Sequence, residues 1–384
     1  MKIPVYLDYN ATTPLDPHVA AAMQPFLYDY FGNPSSGHPY GVQARLAIET
    51  ARRHVADMLN AREDELVFTG GGTEANNMAI RGYCLQNRAR GNHIITSAIE
   101  HPAVLEVCRA LELEGFRLSV LPVDQYGLVN PSDLEAALRP ETILVSVMHA
   151  NNEVGTIQPV RELADITHQA GAVFHCDAAQ STGKIAVDVE QLGVDMLSLA
   201  GHKFYAPKGI GILYIRQGVK LAKVTQGANH ENNRRPGTEN TLAIAGLGSA
   251  ALLVRTDLQR YHDHFARMRA RLASGLQQRL SDERVRINGH PELHLPNTLS
   301  VSFRNLHANE LLLRLNSQVA ASAGAACHAD QVSVSSVLAA MQVPVEWAIG
   351  TLRFSTGRAT TASEIDFALD SICTAVDALT KKSS

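Results

Sequence analysis

An α/β fold, built on a mostly parallel sheet covered by helices with a smaller C-terminal α+β domain, is what this 384-residue sequence predicts. Three observations carry the prediction. Five short runs are apolar on both faces instead of alternating, as strands of a sheet covered on both sides are: Leu66-Val67-Phe68-Thr69, His93-Ile94-Ile95-Thr96, Ile143-Leu144-Val145-Ser146-Val147, Ala172-Val173-Phe174-His175 and Met196-Leu197-Ser198-Leu199. Between them lie stretches long enough for crossover helices, such as Val160 to Ala170. The last third then changes character. Leu258, Tyr261, Phe265, Met268, Leu272, Leu276 and Leu280 recur at spacings of three and four, which marks a long amphipathic helix.

Taken in order, Met1-Lys2-Ile3-Pro4 runs directly into a strand-like segment without a signal-peptide pattern. The run Gly209 to Ile215 follows the preceding strand too closely for a helical crossover, so it is expected to be antiparallel. Leu299-Ser300-Val301-Ser302-Phe303 reads as a strand of the smaller domain. The chain closes in a helix with Thr361 and Glu364 in capping-box spacing and Ile365, Leu369, Ile372 and Val376 on one face. The expected division is a large domain over residues 15–255, with residues 1–14 plus 256–384 forming the small one.

Composition narrows the function. Hydrophobic residues make up 45% of the chain and charged ones 19%, enough to bury a substantial core. A formal net charge of −4 gives no basic surplus for nucleic acid or an anionic membrane. No apolar run reaches the roughly 18–20 residues of a membrane span, so no membrane is expected. The five cysteines are scattered without a C-x-x-C pair, which argues against a disulfide framework or zinc site and for a reducing cytoplasm. No metal is expected: His290 and His294 have helical spacing, but Pro291 breaks the helix such a pair would use.

In an open α/β sheet ligands bind at the carboxyl ends of the strands, and five polar groups fall there. Gly70-Gly71-Gly72-Thr73-Glu74 offers free N–H groups and a hydroxyl to a phosphate; a plain strand-to-helix turn accounts for it equally well. Glu100-His101 could stack an imidazole on a flat ring and shuttle protons, or hold a satisfied structural histidine. Asn151-Asn152-Glu153 could bind a ring oxygen or a carboxylate, or form a turn. Asp177, in His175-Cys176-Asp177-Ala178-Ala179-Gln180, suits a protonated pyridine nitrogen; a helix N-cap is the alternative. Lys203, after Leu199-Ala200-Gly201-His202, stands where a desolvated amine forms imines; a solvated lysine is the usual reading of any one lysine, and the five elements in order weigh against it.

These motifs resemble the cysteine desulfurase / selenocysteine lyase family, within the class V, fold type I pyridoxal-phosphate enzymes. The resemblance runs from Tyr6-Leu7-Asp8-Tyr9-Asn10-Ala11-Thr12-Thr13-Pro14 to Leu352-Arg353-Phe354-Ser355-Thr356-Gly357-Arg358. It passes through Phe31-Gly32-Asn33-Pro34-Ser35-Ser36 and Arg235-Pro236-Gly237-Thr238-Glu239-Asn240. It implies pyridoxal 5'-phosphate as cofactor, with Lys203 as the Schiff-base lysine and later the base on the substrate Cα. It also implies Asp177 on the pyridine nitrogen, Gln180 on the ring hydroxyl oxygen, and His101 stacked on the ring. Gly72, Thr73 and His202 would hold the phosphate, and Thr238 would reach the phosphate of the other subunit of a homodimer. Asn152 and Arg353 would bind the substrate carboxylate. Cys327, in the small-residue run Ala321 to Asp330, would accept sulfur from L-cysteine as a persulfide for an acceptor protein, as in iron–sulfur cluster assembly. Cys84, Cys108, Cys176 and Cys373 fall in helical or strand patterns and are expected to be structural.

One departure stands out. Many desulfurases carry serine where this chain has Ala200, which removes one phosphate hydrogen bond and tilts mildly toward selenocysteine lyase acting on L-selenocysteine. Two further readings share less of the pattern: another aminotransferase on the same fold, which would not need Cys327, and a non-enzymatic sulfur carrier, which would not need Lys203.

Overall fold

The computed structural model describes residues 4–328 and 331–383, and the side chains of 325–333 and 382–383 lie outside the description. Its centre is a seven-stranded sheet in the order Leu66–Thr69, Gly211–Ile215, Met196–Ala200, Val173–Asp177, Thr142–Ser146, His93–Ser97, Arg117–Leu121. Four of the six neighbouring pairs are parallel, while Gly211–Ile215 lies antiparallel to both of its neighbours. The expected antiparallel member is therefore found, and the five expected strands all point their carboxyl ends to one edge. Four of those five strands are buried at every residue, and Val173–Asp177 at all but Val173, which is why none alternates. Arg117–Leu121 gave no comparable signal because it is the edge strand, largely exposed and carrying Arg117 and Ser119.

Apolar side chains cover both faces of this sheet. On one side Val145, Phe174, Leu197 and Ile212 meet Val55 and Leu59 of helix Pro39–Leu59 and Leu247 and Val254 of helix Thr241–Arg279. On the other, Val67, Ile94 and Leu213 meet Ile80 of helix Gly72–Asn87 and Val107 of helix Pro102–Leu113. At about 1.5–3 kcal/mol per fully buried aliphatic side chain, this double burial outweighs the roughly 1 kcal/mol of any one helix cap and fixes which runs become strands.

A second, four-stranded sheet has the order Ser322–Ala323, Thr351–Ser355, Thr298–Phe303, Val285–Asn288. Its core includes Leu7, Leu272, Leu276, Leu299, Phe354 and Ile372. The helix Thr241–Arg279 serves both cores: Ala243 to Val254 pack on the large sheet and Leu272 to Leu276 on the small one. We propose that the domain boundary drawn at residues 255/256 runs through this continuous helix. It is also the one helix among the described residues long and apolar enough to cross a membrane, a property that the sequence reading did not anticipate; its apolar first half, Ala243 to Val254, packs on the large sheet.

Candidate active site

The carboxyl ends of the five strands read from the sequence each deliver a different group to one cavity of about 200 Å³. Its lining includes Gly72, Thr73, His101, Asn152, Asp177, Gln180, His202 and Lys203, eight of the side chains and backbone groups that the sequence singled out. Thr238 is not among the lining residues and lies exposed.

The phosphate-type end is built by the start of helix Gly72–Asn87. Gly71 caps that helix at φ +147, a conformation side chains other than glycine's rarely adopt, and its backbone is crossed closely by Gly211. The first free N–H groups of a 16-residue helix then face the cavity with Thr73. His202 closes this end, with Nδ1 at 3.2 Å from Thr12 Oγ1. Burial, with Lys203 and Lys208 nearby, lowers its pKa to about 4, so at neutral pH it offers a neutral N–H. Ala200 packs near Gly72 in place of a hydroxyl.

At the other end Asp177 is buried, and its two hydrogen bonds come from neutral groups. Asn76 Nδ2 donates to Oδ2 at 2.7 Å and the Ala179 N–H to Oδ1 at 2.9 Å. A buried carboxylate bonded only by neutral donors invites a cationic partner. A protonated ring nitrogen is such a partner, and a phosphate at the opposite end suits the helix start. The donor set therefore fits pyridoxal 5'-phosphate: Asp177, Gln180, His101, Thr73 and His202 are the groups that would hold it, and Lys203 is the amine that would bond its carbonyl carbon.

Lys203 follows the strand Met196–Ala200 in a single helical turn, Gly201–Lys203. Its Nζ donates to the carbonyls of Asn10 at 2.7 Å and Ala11 at 2.9 Å. Burial and, next, the Arg353 cation bring its pKa down to about 8, against the opposing pull of Asp177 and Asp8. An amine so lowered is nucleophilic near neutral pH.

His101 opens onto the cavity at the N-cap of helix Pro102–Leu113, where Nδ1 accepts from the Ala103 N–H at 3.1 Å. That bond places the ring's proton on Nε2. Desolvation holds its pKa below the ordinary histidine value, with Asp177 pulling up and Lys203 pushing down. The neighbouring Glu100 turns inward: it accepts from Ser97 Oγ at 2.6 Å and the Met148 N–H at 2.9 Å, and burial pushes its pKa up to about 8.

Arg353 lies on the central strand pair of the small sheet and reaches the cavity wall without lining it. Its guanidinium donates to Asn152 O at 3.0 Å, Asp8 Oδ1 at 2.8 Å and Ser322 Oγ at 3.0 Å, while the buried Nε has no partner. Cys327 is carried by the strand Ala325–His328, which pairs antiparallel with Gln331–Val334, Cys327 opposite Val332. Its side chain belongs to those outside the description, as do Ala329 and Asp330 altogether. Cys84, Cys108 and Cys176 are free and buried and Cys373 is free and half-buried, as structural thiols are. Four groups escaped the sequence reading as individual residues: Asp8 beside Arg353, Asn10 beside Lys203, Asn76 beside Asp177, and Lys184. The first two lie inside the N-terminal motif, which was the available signal; the others carry none.

Residues 5–367 match the family described as Aminotransferase class-V. The chain belongs to that family. Its cofactor is pyridoxal 5'-phosphate. A cysteine desulfurase IscS of Dictyoglomus turgidum is 47% identical over 371 residues, 96% of this chain and 94% of the relative. One of Methanosarcina thermophila is 45% identical over 367 residues, 95% of this chain and 90% of the relative. Among solved structures, a NifS-like protein superposes with a TM-score of 0.92 at 37% identity, covering 98% of this chain and all of that one. A further structure, SspA in complex with cysteine, has a TM-score of 0.79 at 35% identity and covers 93% of this chain and 100% of its own.

Proposed function

We propose that this chain is a cysteine desulfurase that removes sulfur from L-cysteine, leaves L-alanine, and carries the sulfur as a persulfide on Cys327. The observation that carries the reading is the convergence of Lys203, Asp177 and His101 on one cavity, with Arg353 at its wall on a strand that pairs Ser322–Ala323, just ahead of Cys327. Bound there, the cofactor supplies an electron sink for the bonds at the substrate's Cα and Cβ. Arg353 and Asn152 orient the substrate carboxylate. Lys203 Nζ takes the Cα proton, and Asp177 keeps a proton on the ring nitrogen. His101 Nε2 moves protons over the ring face. The Cys327 thiolate bonds to the substrate sulfur as the Cβ–S bond breaks. That bond's electron pair stays with carbon, which is then protonated to give alanine.

The test is alanine formation from L-cysteine by wild type and Cys327→Ala. Loss of about a hundredfold or more, together with loss of the protein-bound persulfide by mass spectrometry, is expected. Full-rate alanine from the variant would reject the persulfide route.

The same reading makes the enzyme a homodimer in which Thr238 serves the partner's phosphate. Two observations support it: Thr238 lies exposed and outside its own cavity, and Leu27, Tyr28, Phe31, Tyr40 and Leu46 are large apolar side chains left exposed. Sedimentation at twice the 41.6 kDa chain mass is expected, and a monomer would overturn it. The persulfide would pass to an acceptor protein, with iron–sulfur cluster assembly as its use and the cytoplasm as its place.

A further inference from the structure

Lys184 is a buried titratable group that this chemistry leaves unused. It follows the turn after Asp177, and only 4% of the residue is exposed. Its Nζ donates to Gln180 Oε1 at 2.7 Å and to Asn10 Oδ1 at 3.1 Å, both neutral amide oxygens. Burial drives its pKa well below the lysine value, and the cations of Lys203 and Arg353 face it in the same sense. A methionine or leucine would fill that space without desolvating an amine, so the nitrogen needs a reason to be there.

The reason lies in what the nitrogen does to two amides. The oxygen and nitrogen ends of an amide have the same shape, and only their neighbours decide which end points where. Lys184 carries hydrogens for both oxygens whether or not it is protonated. It turns Gln180 so that Oε1 faces Lys184 and Nε2 faces the Asn10 carbonyl that also receives the cavity's Lys203, donating to it at 3.0 Å with a second hydrogen to spare. Asn10 is fixed by the same nitrogen together with Asn297 Nδ2, which donates to its Oδ1 at 3.0 Å. Its own Nδ2 is thereby directed to Thr298 Oγ1 at 2.8 Å and Asn152 O at 3.2 Å. The Asn10 carbonyl receives Lys203 Nζ as well as Gln180 Nε2. One buried amine thus sets the direction of two amides that join Gln180, Asn152 and Lys203.

We propose that Lys184 is a positioning residue for the cofactor site: by donating to Gln180 and Asn10 it keeps the Gln180 amide hydrogens facing the cofactor's ring oxygen. This rests on the reading that Gln180 contacts that oxygen. A donor there favours the charged oxygen and lowers the pH at which the bound cofactor titrates. An amide free to flip presents its own oxygen, and the midpoint rises.

The experiment is a pH titration of the bound cofactor's visible absorbance in the holoenzyme, for wild type, Gln180→Leu, Lys184→Met and the double variant. Lys184→Met keeps the length of the side chain and removes the donor. Its midpoint is expected to rise by about one unit, the size of one hydrogen bond's preference for a charged acceptor, and to rise no further in the Gln180→Leu background. Should Gln180→Leu leave the midpoint unchanged, the Gln180 reading itself fails. If Gln180→Leu shifts it and loaded Lys184→Met does not, Lys184 merely fills space and the proposal is overturned. Lys184→Gln reaches only one of the two oxygens and is expected between wild type and Gln180→Leu. It decides the matter should Lys184→Met not retain the cofactor, and a wild-type midpoint there equally overturns the proposal.

Discussion

Lys203→Ala is expected to lower alanine formation by at least about 10⁴-fold, with the visible absorbance that depends on the lysine–cofactor bond lost and the fold intact. The size follows from two roles falling on one nitrogen: covalent attachment of the cofactor and removal of the Cα proton. General acid–base catalysis alone is worth about 10²–10⁴, and the missing covalent attachment adds to it. Stability should change little, because Lys203 Nζ bonds only two backbone carbonyls, Asn10 O and Ala11 O, the former keeping its hydrogen bond from Gln180 Nε2, and the side chain belongs to neither apolar core. The wild-type amine also sets a pH dependence. With its pKa lowered to about 8 by burial and Arg353, the neutral, nucleophilic form predominates above pH 8 and falls about tenfold per unit below it. Loading of cofactor-free enzyme should therefore slow as pH drops from 8 to 6, measured by stopped-flow absorbance. A Lys203→Ala protein that kept substantial turnover, or a loading rate flat across that range, would show that another group forms the bond.

Asp177→Asn is expected to cost about 10³-fold in kcat with a small change in KM. Asparagine keeps the shape and can still accept the Ala179 N–H and face Asn76, whose donors now bond Asp177 at 2.9 and 2.7 Å. What it loses is the negative charge that holds a proton on the ring nitrogen, and with it the electron sink. An electrostatic contribution realised mainly in the transition state falls on kcat, not on KM. Preorganised groups of this kind are typically worth about 10²–10³ each, and the low-dielectric site, where Asp177 is only 6% exposed, pushes toward the upper end. Equal kcat in the two proteins would mean that the carboxylate is a helix-type cap after all.

The contrast between the two variants shows why the strand ends were readable. Asp177 ends a mostly apolar strand and Lys203 follows another by three residues, and a charged residue at a covered strand end has few structural uses; the run and the interruption both lie within a dozen residues of sequence. The same holds for Gly70 to Thr73 and for Glu100-His101. Thr238, Arg353 and Cys327 came from family resemblance, not from local pattern, and the structure places them at different removes: Thr238 exposed away from the cavity, Arg353 at its wall, and Cys327 on a hairpin strand.

The amino-acid sequence by itself determined the parallel sheet, the antiparallel return at Gly211–Ile215, and the set of groups that meet at the carboxyl edge, because burial on both faces imposes a local composition that each strand must satisfy alone. Tertiary structure alone decided how those groups are held. Asn76 meets Asp177 across 101 residues of chain, Lys184 meets Asn10 across 174, and Arg353 meets Asp8 across 345. A hydrogen bond between distant residues leaves no period and no composition behind. Asparagine, lysine and aspartate in isolation are ordinary surface residues, and only the packing together of segments far apart in the chain makes them partners.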